Sequence, residues 1–205
     1  MYLCNRRISR IHSLLCLLFF LVSVSWPSVV LAQICNLEQF LDTCPTSDQA
    51  YATIKNDFVI CKDGALASEP TCQAPVSQMP IDQVSDELLL ALSLRTIYYL
   101  QSSAQLPWTS TTLYQWLHEK VMGIDIVSTG RDSCCSKNAE DGKTYFNVRS
   151  YANAGGNNRE WWRTPAGVLA RIGLIAHERR HADGDGFPHV GCCKDGPERL
   201  RSRIQ

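Results

Sequence analysis

Eight cysteines behind an export leader constrain this chain more than any other feature: Cys35, Cys44, Cys61, Cys72, Cys134, Cys135, Cys192 and Cys193. An even set in that position reads as a disulfide framework built in an oxidising compartment. The leader is residues 1–32. Arg6, Arg7 and Arg10 form its basic start, Leu14 to Val24 is an apolar run of 11 residues, and Val30-Leu31-Ala32 makes a small-residue cleavage site before Gln33. The apolar run falls short of the ~20 residues that span a bilayer. The mature chain is therefore expected to be secreted, extracellular or periplasmic, with no membrane attachment once the signal peptide is cut.

The full chain of 205 residues has 20 basic and 20 acidic side chains; cleavage removes three arginines and no acid, leaving 17 basic against 20 acidic in a mature chain of 173 residues. That balance lacks the basic excess of a nucleic-acid binder. Hydrophobic residues make up 45% of the sequence, enough to build a core, so general disorder is excluded. Eight cysteines allow 105 pairings, and spacing does not choose among them. None is spaced C-x-x-C, which argues against a zinc ribbon or a thioredoxin-like redox motif.

The expected architecture is a single α+β domain, mainly helical with a few short strands. Residues 33–80 hold four cysteines, Lys62-Asp63-Gly64, Pro70, Pro75 and Pro80, and read as a loop-dominated region with one short helix at Leu37 to Leu41. A pro-segment is the alternative reading of that stretch. Residues 81–205 form the α+β domain. An amphipathic helix starts there at Ser85, with Asp86 and Glu87 at its positive end and leucines leading to Tyr99. A second helix covers Thr111 to Val121, capped by Ser110 or Thr111 and closed by Gly123. Short strands are predicted at Ile124 to Val127 and Lys143 to Arg149, the latter alternating Tyr145, Asn147 and Arg149 against Phe146 and Val148.

The best-marked helix spans 164–183: Thr164 caps it, Pro165 opens it and Gly184 ends it. It carries His177-Glu178-Arg179-Arg180-His181, an H-E-x-x-H motif. The i, i+4 spacing stacks two imidazoles on one helix face, where they can serve one tetrahedral zinc. Glu178, a quarter-turn aside, can reach a water at the metal as general base without ligating. On a helical wheel Val168, Leu169, Ile172, Ile175 and Ala176 form the core side, with His177 and His181 opposite them beside Ala170, Gly173 and Leu174. Gly173, costly inside a helix, suggests close approach by another segment or a substrate. His189 is the favoured third ligand, since Gly184 and Gly186 let the chain fold back. Asp183, Asp185 and Glu198 are rivals, and Cys192 or Cys193 could offer a thiolate, although disulfides suit them better.

His177 to Gly184 resembles the active-site helix of zincin metallopeptidases, and with its later histidine is closest to metzincins. It differs from them in having four residues between Gly184 and His189 and no methionine after His189. The pattern is also similar to small secreted proteins carrying H-E-x-R-H-x-x-G-x-x-H-x-x-C. The resemblance implies a secreted zinc hydrolase acting on a peptide or protein, with His177, His181 and His189 on the Zn2+ and Glu178 as the base. The alternative is a disulfide-rich binding or structural module whose metal site is closed; a third reading has no metal at all. Tyr145 and Tyr151 are minor candidates for polarising a scissile carbonyl. Trp161-Trp162 reads as core or cleft wall, and Cys134-Cys135 as partners for distant cysteines such as Cys192-Cys193.

Overall fold

The computed structural model of the chain describes residues 36–100, 110–137, 142–151 and 159–183. Residues 1–32, expected from the sequence to be a leader ending in a cleavage site, lie outside them. Among the described residues no helix is long and apolar enough to cross a membrane.

The fold is α+β. Its strands are β1 (Val59–Lys62), β2 (Ala65–Leu66), β3 (Gly123–Val127), β4 (Ser133–Lys137) and β5 (Thr144–Arg149). They make one sheet in the order β2-β1-β3-β5-β4. The three central strands run parallel, with Ile60, Ile124 and Phe146 in register, and each edge strand pairs antiparallel. Period-two alternation sends Ile124, Ile126, Phe146 and Val148 into the core, and leaves Asp125, Asn147 and Arg149 on the other face.

Both strands expected from sequence are present within a residue of their predicted limits; β1, β2 and β4 were not foreseen. β1 and β2 are joined through Asp63 (φ 50) and Gly64 (φ 82), a two-residue hairpin loop of the kind Asp-Gly favours. β4 has no apolar alternation to betray it, and its register shifts between Ser133 and Ser136, where Cys135 takes a left-handed conformation (φ 75).

The helices are α1 (Leu37–Leu41), α2 (Gln49–Asp57), α3 (Asp86–Tyr99), α4 (Leu113–His118), α5 (Arg159–Trp162) and α6 (Pro165–His181). α1 is where it was expected. α2 was missed: Asp48 caps it, accepting from Ala50 N at 2.9 Å, but only Ala50, Tyr51 and Ile54 make its buried stripe. Ser85 caps α3 through the Leu88 amide at 3.1 Å, as predicted. α3 is not amphipathic, however. Every residue from Leu88 to Ile97 is buried, because α2, α4, α5 and α6 all pack against it. α4 is shorter than predicted and starts two residues later, at Leu113, with a capping box between Thr112 and Gln115. Gly123 does not close it. It opens β3 instead, and a Cβ there would collide with the Tyr145 ring and the Val59 carbonyl.

Cys44 and Cys72 form a disulfide with Cα atoms 5.7 Å apart, tying the turn before α2 to the loop before Val76. The Cys134 and Cys135 sulfurs lie against each other, rather than reaching to distant partners. Cys192 and Cys193 lie outside the described residues.

Candidate functional site

α6 starts as the sequence requires. The Thr164 hydroxyl accepts from Gly167 N at 3.2 Å, and Pro165 occupies the first turn, where its missing N–H leaves nothing unpaired. Gly167 has no room for a Cβ, since the Trp161 carbonyl and Trp162 Cα pass directly over it.

The helix then divides its faces. Gly167, Val168, Arg171, Ile172, Ile175, Glu178 and Arg179 are buried, which is an unbroken i, i+3, i+4 stripe. Opposite lie Ala170, Gly173 and His177, all exposed, with Leu174 and His181 half-buried. The histidines therefore turn away from the core, as the wheel predicted. Leu169 does not follow the wheel: it is 49% exposed, because the stripe is completed by charged Arg171, Glu178 and Arg179 instead.

His177 Nε2 and His181 Nε2 stand 3.2 Å apart, with their rings 4.8 Å between centroids and nearly perpendicular. Two nitrogens each bound about 2.0–2.1 Å from one tetrahedral zinc are separated by about 3.3–3.4 Å. The donor type and the spacing are thus close to those of two corners of a zinc tetrahedron, and the same 3.2 Å is also the length of a hydrogen bond between the two imidazoles. Glu178 is 8% exposed, on the seam between the histidine face and the core. Among the described residues no three or more His, Cys, Asp or Glu side chains come together in a group that could hold a metal ion. His189, Asp185, Glu198, Cys192 and Cys193 lie outside those residues.

Asp183, a rival third ligand on sequence grounds, is occupied elsewhere. Its Oδ1 accepts from Arg179 Nη1 at 2.6 Å, and its Oδ2 from Trp116 Nε1 at 3.1 Å and Arg180 Nη1 at 3.3 Å. Burial works to raise this carboxyl, but the Arg179 hydrogen bond and charge, the indole N–H and Arg180 outweigh it and hold the group below the usual carboxylate range.

The two tyrosines weighed as electrophiles are both buried. Tyr151 is fully buried, its ring edge-on to Trp162, and burial pushes its hydroxyl up to about 12. Tyr145 is buried against Gly123 on the sheet. Trp162 belongs to the core, as expected.

Sequence reasoning missed the buried charges. Arg171 lies 4.4 Å over the Tyr151 ring and 4.6 Å over Trp162, and donates to Asp132 Oδ1 at 2.7 Å. Asp86, 1% exposed at the start of α3, accepts from Ser150 Oγ at 2.6 Å and Arg159 Nε at 3.3 Å. The available signal was the spacing: 168, 171, 172, 175, 178 and 179 are consecutive members of one helical stripe. Cavities of 340 Å³ (beside Tyr51 and Leu66) and 200 Å³ (beside Asp125 and Tyr145) are lined by no residue of α6.

No protein-family model matches the chain, and no match was found among curated proteins or solved structures.

Proposed function

We propose that this chain is a secreted zinc-dependent hydrolase, a metallopeptidase with a zincin-like helix on its α+β frame. What carries the reading is the 3.2 Å separation of the His177 and His181 Nε2 atoms on the open face of α6. Glu178, next to His177 in the H-E-x-x-H motif, is the base this reading assigns. His177 and His181 would hold the metal, with His189 as the third ligand.

A bound zinc would supply Lewis acidity toward the scissile carbonyl and acidify water toward neutral pH. The rest falls to the chain. Glu178 takes the proton of the attacking water and returns it to the leaving amine. Its place on the seam shields the carboxylate from bulk solvent while His177 beside it stays open to the medium. The core-facing stripe of α6 fixes the angle at which both histidines leave the surface. The substrate class is a peptide or protein, as the zincin resemblance implies.

The test is elemental mass spectrometry and peptide-library hydrolysis on the protein secreted by an oxidising host. The expected result is about one zinc per chain, lost in His177→Ala. Glu178→Gln should keep the metal and abolish turnover. Zinc retained together with no hydrolysis by the wild type would assign a closed, structural metal site. No stoichiometric metal in the correctly oxidised protein would overturn the proposal.

A further inference from the structure

The last turn of α6 is held by a contact that the proposed reaction does not use. Arg179 is 1% exposed, and its guanidinium lies 4.4 Å above the Trp116 ring of α4. Its Nε donates to the Trp116 carbonyl at 2.7 Å, and its Nη1 to Asp183 Oδ1 at 2.6 Å. The Trp116 indole N–H donates to Asp183 Oδ2 at 3.1 Å, which closes the ring. Side chains from α4, from α6 and from the turn just past the end of α6 thus satisfy one another.

The place of this ring matters. His181 is the final residue of α6, and Arg179 and Asp183 stand two residues to either side of it. Final helical turns fray because their carbonyls lack partners within the helix. A ligand on a fraying turn must be ordered each time metal binds, which weakens affinity. The ring removes that freedom by pinning both flanks of His181 to α4. It also accounts for Asp183, whose two oxygens are taken by Arg179, Trp116 and Arg180.

We infer that Arg179, Trp116 and Asp183 are positioning residues for metal capture: the ring presets His181 opposite His177 before the ion arrives. The inference rests on the proposed metal reading and deepens it. None of the three touches the metal or the substrate; they act through His181.

Co2+ titration of the metal-free, full secreted chain tests it, followed by the visible absorption of the bound ion. Arg179→Lys keeps the charge but loses the planar fork and the stack. Trp116→Phe keeps a ring but loses the indole N–H, and Asp183→Asn is isosteric. Each variant should retain the far-UV circular dichroism of the wild type yet bind Co2+ about tenfold more weakly, the low end of the loss seen when supports of metal ligands are removed. Amide hydrogen exchange should quicken over Arg179 to Ala182 and stay unchanged over Val168 to Ile175. A purely structural role would lower the melting temperature while leaving the Co2+ affinity of the folded protein as it was. That result overturns the inference. If Arg179→Lys does not fold, Trp116→Phe and Asp183→Asn decide the matter by the same readout. A wild type that takes up no Co2+ overturns the metal reading itself, and is told apart from the first failure because no variant is needed to see it.

Discussion

Helices α3 and α6 pack side by side, and each buries an arginine-bearing face, but they are stabilised in different ways. α3 buries ten consecutive residues, Leu88 to Ile97, and bonds two of its three polar ones, Ser93 and Thr96, within the helix itself. Ser93 and Thr96 donate to Leu89 and Leu92 carbonyls one turn back, and Arg95 donates to the Phe40 carbonyl at 2.6 Å while lying 4.2 Å over the Phe40 ring. Burial draws Arg95 down to about 10, against the opposing pull of Asp48 and Tyr99. α6 buries two arginines and a glutamate, and each arginine finds a carboxylate: Asp132 for Arg171, Asp183 for Arg179. The difference separates a helix made to fill a core from one made to hold a rigid face outward. Apolar packing tolerates small rearrangements, whereas charge-assisted bonds of fixed geometry do not.

The comparison breaks most severely at the centre of α3. Leu92 is fully buried, and Leu92→Ala should cost about 3–5 kcal/mol through lost burial and a residual cavity. The decisive measurement is the urea midpoint, with the slope unchanged. A loss below about 1 kcal/mol would mean that the helix is less enclosed than described, because Leu→Ala at an enclosed site costs at least twice that.

Arg171→Met is the corresponding cut in α6. The variant keeps most of the side-chain volume between Tyr151 and Trp162 but leaves Asp132 without its guanidinium. Breaking a fully buried pair costs about 3–5 kcal/mol. Asp132 is 21% exposed and also accepts from Arg149 N at 2.8 Å, so a smaller loss of about 2 kcal/mol is expected. Asp132→Asn combined with Arg171→Met should recover part of it. If the double variant is no better than the single one, the pair is not coupled and α6 is held by packing, as α3 is.

The same contrast explains what was legible in the sequence. α3 could be read because its signals are local: Ser85 as cap, two acids in the first turn, then leucines. α6 could be read at its start and along its histidine face for the same reason. Its buried face could not: Asp183, four residues on, is a local partner for Arg179, but the Trp116 carbonyl of α4 that completes it lies 63 positions away, and Asp132, the partner of Arg171 in the loop before β4, lies 39 away. Periodicity assigns charge to the outside unless a distant partner is known. β1 was hidden for a related reason. Four residues, Val59–Lys62, give too short a pattern, and what makes them a strand is parallel pairing with β3 across more than 60 residues. Of the candidate site, His177, Glu178 and His181 were legible and the two imidazoles do meet; the ring that holds their turn was not.

The mildest intervention sharpens the contrast at the open face of α6. Gly173 lies one turn before His177, exposed, and no described residue comes within 4 Å of where its Cβ would stand. The close approach by another segment that a helical glycine suggested is not made by the described residues. Gly173→Ala should therefore stabilise the protein by about 1 kcal/mol, the difference in helix propensity between the two residues, and the urea midpoint should rise accordingly. Peptide hydrolysis then separates two reasons for the glycine. A variant that is more stable but has a raised KM with kcat intact keeps a bare backbone there for substrate to lie against. A variant that is more stable and kinetically unchanged shows that the face needs only its histidines. A variant that is less stable would mean that a neighbour occupies that face after all, and that α6, like α3, is covered on both sides.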